Sequence, residues 1–205
     1  MATAVAGDVS GVIARLESAN SARETALGEC RQVIRCSGRS IRAVHRLDGE
    51  AAASHRAEAE THLRRAQQAL DPHPALVHAG FLHDAEKEFA EAVATAAFIV
   101  GDAPPGPGEL QVGDPAWLHG LAEAASELRR HLLDRLRGGQ LEEAERLLNT
   151  MDEIYDVLVD VDFPDALTAG LRRATDALRA VLERSRADVT TTVLQVRLQR
   201  VLESR

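Results

Sequence analysis

Seven prolines punctuate the chain in only four places: Pro72 with Pro74, the cluster Pro104, Pro105 and Pro107, then Pro115 and Pro164. Proline removes a backbone donor and ends a helix, so the long stretches between these points are free to be helical throughout. Those stretches are rich in Ala, Leu, Glu and Arg, poor in aromatics, and lack sustained alternation of apolar with polar residues. Most sheets are thereby excluded. Helical segments are predicted at about 8–47, 50–70, 74–101, 115–137, 140–160 and 165–202.

In the first segment Val9, Val12, Ile13, Leu16, Ala26, Leu27, Cys30, Val33, Ile34, Ile41 and Val44 form one helical face. Gly28 and Gly38 are its weak points, each costing about 1 kcal/mol against alanine. In the last segment Leu167, Leu171, Ala174, Leu178, Val181, Ser185, Val189 and Val193 make a heptad-like seam. A helix of about 40 residues is roughly 60 Å long, whereas a folded chain of this length has a radius of gyration near ~17 Å. The first helix must protrude or find partners. The expectation is an all-α fold, a single bundle of long antiparallel helices forming one domain over residues 1–205, which oligomerises.

At 205 residues, 45% hydrophobic, the chain is long enough to bury a core without a disulfide or metal staple. Cys30 and Cys36 point in different directions on a helix, so they neither bridge nor form half of a zinc site. Reduced cytosolic thiols are the default. No apolar run reaches the roughly 18 residues of a membrane span, and MATAVAGDVSG lacks the layout of a signal peptide, so a cytoplasmic protein is expected. A net charge of −8 argues against coating nucleic acid by bulk attraction, although a local basic stripe remains available.

The segment FLHDAEKEFAEAVATAAFIVG places Glu88 and Glu91 within roughly a 100° arc shared with Val77, Phe81, Ala92, Thr95 and Ile99, with His83, Glu86 and Lys87 outside it. Glu91 is the sole charge between residues 89 and 101. A carboxylate there loses hydration that a cation, a metal or a proton must replace. A salt bridge to an arginine on another helix, or a side chain reaching solvent past small alanines, is the alternative account. Glu123 and Glu127 lie one turn apart, away from the stripe Leu118, Leu121, Ala125, Leu128, Leu132 and Leu136, and alone read as a solvated face. If the two helices are neighbours, the four carboxylates form an oxygen-rich cage suited to Mg²⁺ or Mn²⁺, and such cages do phosphoryl chemistry.

Arg31, Arg35, Arg39, Arg42 and Arg46 recur at helical spacing, rotated away from the apolar seam of the first helix. Guanidinium forks match phosphate oxygens in pairs, so this stripe can track a nucleic-acid backbone. No aromatics interleave it, so contact would be mostly to phosphate, with little sequence reading. Other chemistries lack support. No Glu-x-x-His pair of a dimetal oxidase, no GxSxG elbow and no Gly-rich phosphate loop occurs, APPGPGE being a linker. The spacings of His55, His62, His73, His78, His83 and His119 fit no zinc pattern, which makes them surface or loop residues.

With these residues in view, the chain resembles the translin family, in particular its translin-associated protein X branch, as a prokaryotic-type homologue. CRQVIRCSGRSIRAVHRL is similar to the family's SRDI, SKR and LLHRI elements, keeping Arg31, Ser37, Arg39, His45 and Arg46. EFAEAV resembles the EYVEA element of the X branch, which puts that branch's acidic pair on Glu88 and Glu91. LAEAASELRR resembles ADLTGELMR, aligning Glu123 with an aspartate and Glu127 with a glutamate of the metal cluster. IYDVL and LRRATDAL resemble VYDGF and LRKRYDGL through Tyr155, Asp156 and their neighbours. The order and spacing of these elements agree from residue 31 to residue 178. The family's aspartate is the longer glutamate at position 123, and its Gly-Asp after the fourth segment becomes Gly139-Gln140.

The resemblance implies a bundle of about six or seven helices, a closed oligomer with an interior cavity, and Mg²⁺-dependent cleavage of RNA inside it. Glu88, Glu91, Glu123 and Glu127 would hold Mg²⁺ or Mn²⁺ and carry catalysis, while Arg31, Arg35, Arg39, Arg42, His45 and Arg46 hold the strand. The leading expectation is an endoribonuclease acting on single-stranded or loosely structured RNA, assembled as a homo-oligomer or with a paralogue, with no membrane involvement. The alternative is a translin-like protein that binds single-stranded RNA or DNA without cutting it.

Overall fold

The punctuation predicted from proline is realised almost throughout. A computed structural model describes residues 2–204, and among the described residues there are nine helices and no strand. They are α1 (Ala2–His45), α2 (Gly49–Leu70), α3 (Pro74–Val77), α4 (Phe81–Val100), α5 (Pro107–Leu110), α6 (Asp114–Arg137), α7 (Leu141–Val159), α8 (Asp165–Thr168) and α9 (Leu171–Glu203). Two predicted segments divide. Gly80 and Gly170 take φ values of +90° and +82°, which separate α3 from α4 and α8 from α9.

α1 stays helical through Gly28 and Gly38, because its inner half is clamped between α2 and α4. Burial begins at Ala26, while Val9, Val12, Ile13 and Leu16 stand in solvent. The long helix therefore protrudes. The far end of α9 does the same, exposing Leu194, Leu198, Val201 and Leu202. No helix among the described residues is long and apolar enough to cross a membrane.

The apolar interior has two main parts. One gathers α1, α2, the first half of α4 and α5 around Val33, Leu63, Leu70, Leu82 and Phe89. The other gathers α6, α7, α9 and the end of α4 around Leu128, Leu132, Leu147, Met151 and Leu178. α4 touches both and packs side by side with α6.

α1 and α2 form an antiparallel hairpin, with Asp48 capping α2 by accepting the Ala51 amide at 3.1 Å. α4 and α6 instead run in the same direction. The linker between them doubles back along α4: Arg64 and Gln67 donate to the Leu110 and Gln111 carbonyls at 2.7 and 2.8 Å, and the Gly113 amide donates to Glu86 at 3.0 Å. Trp117 Nε1 donates to the Pro105 carbonyl at 3.0 Å and closes the return. Arg146 on α7 donates to the Phe98 and Ile99 carbonyls at 3.2 and 3.0 Å, satisfying the free end of α4.

Candidate active site

One glycine sets how closely α4 and α6 approach. A Cβ added to Gly120 would lie 2.7 Å from the Ala90 Cβ, 2.9 Å from the Glu91 amide nitrogen and 3.0 Å from the Lys87 carbonyl oxygen. With no side chain there, the backbones meet beside Lys87, Ala90 and Glu91, and Glu123 follows one turn later. The parallel register then stacks facing pairs along one seam: His83 meets His119, Lys87 meets Glu123, and Glu91 lies beside Glu127.

Carboxylate oxygens of Glu88, Glu91 and Glu123 lie within 4.8 Å of one another. Glu91 is the buried member, 7% exposed. Its carboxyl is pushed up to about 9 by burial first, then by the negative charges of Glu123, Glu88 and Glu127. A divalent cation held by all three would relieve both causes, and an all-oxygen donor set suits a hard ion. The donor chemistry therefore fits a hard divalent cation.

Lys87 partly meets the same need. Its Nζ donates to the two Glu123 oxygens at 2.8 and 2.7 Å and lies 3.3 Å from Glu88. Burial pulls the ammonium down, but Glu123 and Glu88 outweigh it and hold Lys87 above the usual lysine value. Lys87 lies outside the arc of the apolar stripe but only about 40° from Glu91 at about 100° per residue, so its long stem carries the ammonium into the same seam.

Glu127, the fourth predicted ligand, stands outside the group of three. Its Oε2 is hydrogen-bonded to His45 Nε2 at 2.8 Å. That bond, opposed by burial, holds Glu127 below the usual carboxylate range. The His45 side chain is 3% exposed, so it is turned into the protein toward Glu127 and away from any strand on the surface. The arginines behave differently. Arg31, Arg35, Arg39 and Arg42 lie exposed along α1 and Arg46 in the turn just after it, and none of the five forms an ion pair among the described residues.

Several features escape a reading by sequence spacing. Gly120 is one, because no spacing rule marks a glycine inside a helix as a contact point. The histidine pair is another: the His83 and His119 rings meet edge to face at 5.7 Å, and His83 is lowered by burial and by His119. His119 Nε2 is also hydrogen-bonded to the Thr168 carbonyl at 2.9 Å. Gln140 lies at the α6–α7 turn, where it accepts from Arg135 at 2.7 Å.

No protein-family model matches the sequence. An uncharacterised protein of Methanocaldococcus jannaschii is 26% identical over 189 residues, 92% of this chain and 84% of the relative. Two solved structures of the Archaeoglobus protein AfC3PO match over 92% of this chain. One, a complex with duplex RNA, is 32% identical with a TM-score of 0.75 and 97% of its chain covered. The other, crystallised as AfC3PO, is 31% identical with a TM-score of 0.76 and 98% covered. The Neurospora apo-NeC3PO shares the fold at a TM-score of 0.81 and 17% identity, over 90% of this chain and 96% of that one.

Proposed function

Because the chain belongs to the translin family, we propose that it is a metal-dependent endoribonuclease of the X-branch kind, acting on single-stranded or loosely structured RNA inside an oligomeric shell. The observation that carries this reading is the convergence of Glu88, Glu91 and Glu123 within 4.8 Å around a buried carboxyl. The duplex RNA held by AfC3PO supports RNA as the ligand class. The protruding apolar ends of α1 and α9 support assembly into an oligomer. A cytoplasmic setting belongs to the same reading, in keeping with the free, buried Cys30 and Cys36.

Glu88, Glu91 and Glu123 would hold Mg²⁺ or Mn²⁺, which supplies Lewis acidity toward a phosphodiester and its attacking water. Glu91, buried on α4, would form the inner wall of the site. Glu88 and Glu123 face the entrance, with side chains 27% and 39% exposed. Lys87 must leave Glu123 for that carboxylate to bind an ion. Once freed, its ammonium can donate to a phosphate oxygen. Glu127, held below the usual carboxylate range by His45, would accept the proton of the attacking water. The α1 arginines hold the strand through its phosphates.

Purified protein should cleave a single-stranded RNA oligonucleotide with Mg²⁺ or Mn²⁺ and stop in EDTA. Glu91→Ala should abolish cleavage while leaving the helical circular dichroism spectrum intact, and unchanged turnover in that variant would sink the assignment. A binder that does not cut is the second reading, and Lys87 favours it, because an ammonium already neutralises part of the acidic group. Such a protein should bind RNA equally well in EDTA and show no cleavage at any Mn²⁺ concentration.

A further inference from the structure

A second constellation of metal-ligating side chains lies between α1 and α2, apart from the carboxylate seam. Cys36 Sγ, a carboxylate oxygen of Glu58 and a ring nitrogen of His62 lie within 4.8 Å of one another. Glu58 and His62 are one turn apart on α2, and Cys36 faces them from α1. Glu29, two turns before Cys36, hydrogen-bonds His62 Nδ1 through its Oε2 at 2.6 Å. The antiparallel hairpin makes this meeting, which is why no spacing along either segment announces it.

We propose that Cys36, Glu58 and His62 form a zinc site that staples α1 to α2, with Glu29 orienting the His62 ring. A thiolate, an imidazole and a carboxylate make a mixed, borderline-soft set. Zn²⁺ accepts such a set in tetrahedral geometry, whereas Mg²⁺ requires oxygen. Three protein ligands leave one position for water. A metal-bound histidine commonly gives its other ring nitrogen to a carboxylate, so with Nδ1 held by Glu29, Nε2 would bind the ion. Burial also supports the assignment. Cys36 is 1% exposed, while Glu58 reaches solvent and provides an entry path. Arg35 and Arg39 are near enough to act on the thiol, so a zinc here would fix the stretch of α1 that carries the middle of the arginine stripe.

The proposal stands independently of the ribonuclease assignment, because its readout is the thiolate itself. Full-length, metal-free protein is titrated with Co²⁺ while absorption is followed in the near ultraviolet, where a cobalt-bound thiolate gives a charge-transfer band. The expected result is a band saturating at about one Co²⁺ per chain and bleached by Zn²⁺. It should be lost in Cys36→Ser, retained in Cys30→Ser and Glu91→Gln, and formed about tenfold more weakly in Glu29→Gln. Zinc should also protect one thiol of the wild-type chain from alkylation, and this protection should vanish in His62→Ala. Absence of the band from wild-type protein overturns the site, as does its persistence in Cys36→Ser. If that variant fails to fold, the alkylation of wild-type protein decides, since equal labelling of both thiols with and without zinc also overturns it.

Discussion

The seam between α4 and α6 and the outer face of α1 concentrate opposite charges by opposite means. On the seam, Glu91 is buried and surrounded by other carboxylates, of which Lys87 pairs with Glu123 and Glu88. Along α1 and in the turn at its end, five arginines lie exposed and unpaired among the described residues. A buried like-charge cluster stores an electrostatic demand that a cation or a proton must meet, whereas an exposed stripe is already solvated and gains only when phosphates displace its counterions. The seam should therefore be brittle and all-or-none, and the stripe graded and salt-sensitive.

The most severe break is Glu91→Gln, which keeps the shape of the buried side chain but removes an anionic ligand. An ion contributing several kcal/mol to the transition state makes the expected loss of RNA cleavage about 1,000-fold or more, read as single-turnover rate in saturating Mn²⁺. RNA binding on α1 should be unchanged, which sharpens the contrast between the two regions. Next in size is Gly120→Ala. Its new methyl group meets the Ala90 Cβ at 2.7 Å and backbone atoms of α4 at 2.9 and 3.0 Å, so the helices must separate. Overpacking of this kind costs about 1–3 kcal/mol, measurable by urea unfolding, and cleavage should fall because Glu123 moves off Glu88 and Glu91.

These two residues show what the sequence discloses. Glu91 was legible because a lone charge in an apolar helical stretch violates the pattern around it. The helix ends were legible because proline acts locally. The neighbourhood of α4 and α6 was not, because their backbones approach at the small residues Ala90 and Gly120, and a helical projection weighted by leucine points α6 toward α7 and α9 instead. His45 escapes that reading for a related reason. Long side chains on helices packed on several sides reach partners that the angle of their Cα does not indicate. Meetings between distant segments, such as Cys36 with His62, leave no trace in spacing because the turn at 46–48 decides the register.

The pH response of metal-free protein tests the seam more gently. With its folded value raised to about 9, Glu91 keeps its proton over a range in which the unfolded chain has released it. The native state then binds more protons than the unfolded one, so stability falls as pH rises from about 5 toward 9. Thermal melts should show this decline in the wild type, a flatter profile in Glu91→Gln, and partial flattening with Mg²⁺. Glu127 works in the other direction: held low by His45, its contribution is lost only in acid, as pH falls below the ordinary carboxylate value.

The smallest effects belong to the stripe. Arg31→Ala combined with Arg42→Ala removes two of the five exposed guanidinium groups without touching the acids. Removing one arginine–phosphate pairing along a single strand lowers the slope of log K against log salt by about 0.7, so the double variant should bind RNA with a slope shallower by about 1.4. Replacement by lysine at the same positions should restore the slope but not the whole affinity, because an ammonium keeps the charge without the bidentate fork. Cleavage at saturating RNA should stay near the wild-type rate. If it falls as far as in Glu91→Gln, the stripe and the seam act as one site, and the contrast between them fails.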